Sequence, residues 1–66
     1  MNVTNESILK FFDYMHLPPK LQMVSKAFHD LAHAMNDDLP FCAETATALR
    51  KLLEAKDCAV RAKLET

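Results

Sequence analysis

From Thr45 to Leu64 the chain reads TATALRKLLEAKDCAVRAKL, with neither Gly nor Pro and almost only good helix formers. At about 1.5 Å per residue, this stretch predicts one continuous helix roughly 30 Å long. Two apolar lines run along it. Ala48, Leu52, Ala55, Ala59 and Ala62 recur at alternating steps of four and three, which keeps them on one face. Ala46, Leu49, Leu53, Val60 and Leu64 form a second line beside the first, interrupted by Lys56. A helix in a plain two-helix hairpin needs only one such stripe. The Ala line is thin enough for another helix to approach closely. The Leu line then needs its own cover, and in so short a chain that points to a second copy. A single wide stripe packed inside a small monomer is the alternative.

Size favours association. A chain of 66 residues forms one domain and has little apolar surface to bury alone. Half the residues are hydrophobic, but no run approaches the roughly 20 apolar residues of a membrane span. The N-terminus, MNVTNESILK, lacks the basic start and apolar centre of a secretion signal, so a cytoplasmic location is expected. Cys42 and Cys58 lie about 24 Å apart if both sit on one helix, too far for an intrachain disulfide. No CxxC is present, so two reduced structural thiols are expected. A net charge of −1 lacks the electrostatic footprint of a general DNA or RNA binder. Charge is nonetheless uneven: Asp37, Asp38 and Glu44 make the inter-helix turn acidic, whereas Thr45 to Thr66 is net positive.

In chain order, Thr4 or Asn5 is available as a helix cap, and residues from about 5 to 12 form a short helical arm. Ile8, Phe11 and Phe12 are expected to point inward. Pro18 and Pro19 end that arm, leaving Tyr14, Met15, His16 and Leu17 in a bend, and then open the next helix. This second helix is expected over about 19–36. Leu17, Leu21, Val24, Phe28, Leu31 and Met35 mark its inward stripe. Asn36, Asp37 and Asp38 stop it, and Leu39-Pro40 leads into a third helix over about 42–64. The fold class is all-α: an antiparallel helical hairpin with a short N-terminal helical arm, assembled as a homo-oligomer.

Four constellations carry candidate chemistry. His29 and His33 share a helix face in a string that differs from the zincin H-E-x-x-H by Asp30 for Glu. A catalytic zinc wants a third protein ligand, and only Asp37 is near enough to consider. Two surface or interface imidazoles are therefore the favoured reading, with no metal and no cofactor expected. Cys42 or Cys58 beside a histidine lacks a nucleophile elbow or an oxyanion loop. The absence of Gly also removes the P-loop and dinucleotide-fold phosphate cradles, so any phosphate must be met by side chains or helix N-termini.

The third constellation is Tyr14 with Lys20, Ser25 and Lys26. Tyr14 is the only Tyr, in a bend where its ring can face outward as a stacking platform. Ser25 and Lys26 lie off the apolar stripe and are expected to be exposed to an anion. A core-packed tyrosine beside ordinary surface lysines is the plainer alternative. The fourth is Thr45, Thr47, Arg50, Lys51 and Arg61 on the last helix. There Arg61 has Asp57 four residues before it as a solvated ion-pair partner, and Arg50 and Lys51 either line an anionic pocket near a subunit contact or are plain surface charges.

These residues carry a resemblance. Phe12-Asp13-Tyr14 followed by Pro18-Pro19-Lys20, then Asp30-Leu31-Ala32, then Ala48-Leu49-x-Lys51-Leu52-x-Glu54-Ala55 with Ala59, resembles a family of small phage proteins. These are the anti-CBASS sponges for cyclic oligonucleotides, which share a helical hairpin domain with an anti-Thoeris sponge. The similarity spans Phe12 to about Ala62. It implies a non-enzymatic homohexamer in the host bacterial cytoplasm that sequesters the cyclic nucleotide messengers of anti-phage defence. It also implies that Tyr14 contacts a base and Lys26 the phosphates, with Ser25 and Lys20 as neighbours. A nearly two-fold cyclic dinucleotide suits an isologous interface that offers Tyr14 and Lys26 twice each.

The family's tight Tyr-His-Pro-Pro run is opened here by Met15, His16 and Leu17, so the bend is built differently. Its arginines near the start of the last helix, implicated in a separate trinucleotide pocket, are absent from Cys42-Ala43-Glu44-Thr45. Cyclic dinucleotides are thus favoured over trinucleotides, with Thr45 and Arg50 as the candidates for a second pocket. A small oligomeric helical adaptor, binding a protein partner through an exposed apolar helix face, is the alternative from another functional class.

Overall fold

In the computed structural model, residues 8–65 are described. The expected caps Thr4 and Asn5, and the beginning of the expected arm, lie outside the described residues. Within them the chain forms a 3-10 turn, Lys10–Phe12, and two α-helices, α1 (Pro19–Asp38) and α2 (Ala43–Leu64). No strand occurs among the described residues, and none of their helices is long and apolar enough to cross a membrane.

The helices begin and end where the local chemistry dictates. Pro19 opens α1 without sacrificing a hydrogen bond, because the first helical N–H groups have no intrahelical partner. The Pro18 carbonyl accepts from Leu21 N–H at 2.9 Å and Gln22 N–H at 3.2 Å. At the far end, Leu39 turns to extended backbone (φ −102°, ψ 149°) while its N–H still donates to the Met35 carbonyl. Pro40 then prevents continuation. Cys42 caps α2 in extended conformation, and its carbonyl accepts from Ala46 N–H at 3.0 Å. No described residue has positive φ, so both connections close without the left-handed backbone that would call for glycine.

α1 packs on α2, and the 3-10 turn touches both. Leu9, Phe12, Ala32 and Leu49 form the buried centre, with Ile8, Phe28, Met35, Leu52 and Leu53 packed around it. Phe12, Ala32 and Leu49 are completely buried. The segment before α1 therefore supplies the largest core side chain and wedges the open side of the hairpin.

Three details differ from the sequence expectation. In the arm, Leu9 is buried and Phe11 is 55% exposed, because the tight 3-10 turn directs Phe12 inward and Phe11 out. On α1, Leu31 is 49% exposed, whereas Leu21, Ser25 and Ala32 are buried, with Phe28 and Met35 half-buried beside them. The inward seam thus runs through the small residues Ser25 and Ala32, which let the two backbones come close. On α2, Thr45 and Leu49 are buried while Ala55 and Ala62 are exposed. The Leu49 line faces α1, joined by Leu52 from the Ala line.

Candidate functional site

Tyr14 is held by the bend before α1. Leu17 N–H donates to the Tyr14 carbonyl at 3.0 Å. The side-chain amide of Gln22 reaches back from α1 to the carbonyls of Leu17 (2.7 Å) and Met15 (3.3 Å). The bend carries no regular backbone ladder of its own, and these bonds fix it to the first turns of the helix.

From there Tyr14 lies over one face of α1. Its ring meets His29 edge-on, with centroids 5.0 Å apart and planes at 70°. His29 in turn contacts His33, with centroids at 4.3 Å and a 44° tilt. Lys26 Nζ donates to Asp30 Oδ2 at 2.7 Å, and Asp30 Oδ1 lies 3.1 Å from His29 Nδ1. Gln22, Lys26, His29, Asp30 and His33 follow helical spacing, so a single face presents an aromatic–imidazole stack beside one cation and one carboxylate. Tyr14 and His29 are half-buried, whereas Lys26 and Asp30 are exposed.

The electrostatics of the pair are mutual. The hydrogen bond and charge of Asp30, with a smaller pull from Tyr14, raise the Lys26 ammonium above the ordinary lysine value. The Lys26 hydrogen bond, and then that of His29, hold the Asp30 carboxyl below its ordinary value. An anion arriving at Lys26 must displace or share the Asp30 carboxylate. Because both side chains are solvated, the pair itself is a weak one.

Tyr14 lies against His29, on the α1 face that also carries Lys26. The structure does not bring the other candidates to that face. Ser25 is fully buried on the seam facing α2, and its Oγ has no hydrogen-bond partner among the described residues. Expecting it to be exposed was a consequence of placing the inward stripe one residue away. Lys20 is exposed, but six residues from Lys26 amount to about 600° around the axis, so the two point about 120° apart. Thr45 is only 4% exposed, and its hydroxyl lies 3.4 Å from Cys42 Sγ. Arg50 is exposed one turn further on, about 140° around the helix from Thr45, so the two do not share a pocket.

Arg61 donates from Nη2 to Cys58 Sγ at 3.3 Å, and Asp57 instead approaches Lys56 at 3.3 Å. Both cysteines are free and exposed. Among the described residues, no three His, Cys, Asp or Glu side chains are placed to hold a metal ion, and His29 and His33 spend their faces on each other and on Tyr14. Sequence reasoning missed the roles of His29 as the packing partner of Tyr14 and of Asp30 as the clamp on Lys26. The i,i+4 spacing of Lys26 and Asp30 was the available signal for the second; nothing local marks the first.

Compared with protein-family models, curated proteins and solved structures, the chain matches none.

Proposed function

We propose that the protein is a non-enzymatic sponge for cyclic dinucleotides, a phage-encoded counter to CBASS-type signalling that works in the host bacterial cytoplasm as a homo-oligomer, with the hexamer of the family it resembles as the expected assembly. The observation that carries this reading is the shared face of Tyr14 and Lys26 on α1. A half-exposed aromatic ring beside a cation is what a base and its phosphodiester need from a surface without glycine loops. Tyr14 supplies the stacking platform, the His29–His33 pair holds that platform in place, and Lys26 exchanges its Asp30 partner for phosphate oxygen. Binding is stoichiometric, and the ligand is released unchanged. A trinucleotide site at Thr45 and Arg50 is not part of the proposal, since those residues face apart.

Isothermal titration with a panel of cyclic dinucleotides and trinucleotides tests it, followed by denaturation and recovery of the ligand. Nanomolar binding with intact dinucleotide released is the expected result. Tyr14→Ala and Lys26→Ala should each abolish binding while the assembly survives. Wild-type binding by either variant would remove the site assignment, and consumed ligand would point to an enzyme.

Flat titrations across the panel would favour the second reading, a helical adaptor for a protein partner. The apolar side chains Phe41 (66% exposed) and Leu39 (39% exposed) at the closed end of the hairpin support that alternative.

A further inference from the structure

α1 carries its charges against its own dipole. Its first turn holds Lys20 and no acid, and its last turn holds Asp37 and Asp38 and no base. A helix presents positive potential at its N-terminus and negative potential at its C-terminus, so both ends of α1 oppose their backbone. α2 has the favourable arrangement, with Glu44 in its first turn and Arg61 and Lys63 in its last. Among the described residues, neither Lys20 nor Asp38 has a hydrogen-bond or ion-pair partner.

Those two charges end a single exposed line. Lys20, Met23, Ala27, Leu31, Ala34 and Asp38 succeed one another at steps of three or four, and all are exposed. Met23 is 83% exposed, an unusual position for so large an apolar side chain. At about 100° per residue, the line lies about 150° from the Ser25–Ala32 seam that packs on α2. It lies about 115° from the Lys26–His33 face. No described residue covers it.

We propose that this line is the contact between two copies of the chain, with α1 packed antiparallel against the same helix of the second copy and the two-fold axis at the level of His29. An isologous contact has to be self-complementary, and this line is. Reversing it about its midpoint sets Lys20 against Asp38 and Asp38 against Lys20, so each helix end receives the charge its dipole favours. The same reversal sets Ala27 against Leu31 and Met23 beside Ala34, large against small, which is how ridges enter grooves. An unrelated partner would give no reason for charge and size to be arranged symmetrically about one point. The inference rests on the proposed function for the existence of self-association, and it moves the contact from the leucine line of α2, which packs on α1, to the exposed line of α1.

Sedimentation velocity on the whole chain over a wide concentration range tests the contact. Wild type should self-associate, and Ala27→Glu should lower the assembled mass while keeping its helical circular dichroism, since residue 27 is solvent-facing in the single chain. Lys20→Asp and Asp38→Lys should each weaken association by about ten-fold, because every swap alters two symmetric contacts. The double swap should recover association to within a few-fold.

A wild type that stays monomeric, an Ala27→Glu variant that assembles normally, or a double swap that fails to recover would each overturn the proposal. A monomer that binds cyclic dinucleotide would sink this surface and leave the sponge reading standing. An assembly built through α1 that binds no nucleotide would do the opposite.

Discussion

Cys42 sits in extended backbone at the start of α2, where its thiol meets the Thr45 hydroxyl at 3.4 Å. That hydroxyl first, and the backbone N–H groups at the helix start after it, hold the thiol below its ordinary pKa, with Glu44 opposing them. Since the thiolate is the reactive form, alkylation of Cys42 should reach half its limiting rate below the pH typical of a free thiol. Thr45→Val keeps the shape and removes the hydroxyl, so the midpoint should rise. Iodoacetamide labelling with peptide mass mapping reads both; an unmoved midpoint would take the hydroxyl out of the account. The Lys26–Asp30 pair titrates in two directions. The lowered Asp30 pKa gives a contribution that is full above the ordinary carboxylate range and fades as pH falls through the lowered value. The raised Lys26 pKa gives one that is full below the ordinary lysine range and fades as pH rises through the raised value. The pair is therefore closed across neutral pH. Asp30→Asn should return the Lys26 titration, followed by NMR, toward the ordinary lysine value and tighten cyclic dinucleotide binding, because the competing carboxylate is gone.

At the level of the helix, the close contact of α1 with α2 is made by small residues. Ala32 and Leu49 share the core, and seven residues further from the turn on each helix stand Ser25 and Lys56. Equal rise on both helices sets these two level with each other. The Lys56 side chain is only 13% exposed and ends at Asp57, so its stem covers apolar surface while its ammonium finds a charge at the edge. Ser25 is left with a buried hydroxyl that has no hydrogen-bond partner among the described residues. Ser25→Ala removes that orphan and replaces a weaker helix former with the best one, for an expected gain of about 1 kcal/mol in unfolding free energy. A urea midpoint shifted upward with unchanged slope would show it. A loss of similar size would mean that the hydroxyl has a partner in solution. The same site explains what could be read in advance. Both long helices were legible to within two residues at each end, because Pro18-Pro19, Pro40 and unbroken helix formers are local signals. The rotation of α1 was not. A search for large apolar residues selects Leu31, whereas the packing distance between helices selects Ser25 and Ala32. Bend and helix position put Tyr14 and Lys26 near the start of α1, but the contact of Tyr14 with His29, and the failure of Lys20, Ser25, Thr45 and Arg50 to join that face, follow from the same rotation and from faces that spacing alone did not weigh.

For the whole molecule, the decisive quantity is how little it buries. The described hydrophobic core is Leu9, Phe12, Leu21, Ala32 and Leu49, while Phe11, Met15, Met23, Leu31, Leu39, Phe41 and Leu64 remain substantially exposed. A single chain with such a core is near the lower limit of independent stability. If two copies share the Lys20–Asp38 line, folding and association become linked, and stability depends on protomer concentration. A hundred-fold rise in concentration then supplies about 2.7 kcal/mol per dimer, or about 1.4 kcal/mol per chain. For a domain of this size each kcal/mol shifts the midpoint by several degrees, so the thermal transition should move up by roughly 5–10 °C. Ala27→Glu should remove the dependence, because a carboxylate on the two-fold line would be buried without a counter-charge in both copies. Calorimetry at matched concentrations separates the cases. A midpoint that rises with concentration in wild type and stays fixed in Ala27→Glu places the missing stabilisation on α1. A wild-type midpoint independent of concentration means the small core suffices alone, and the exposed line on α1 needs another occupant.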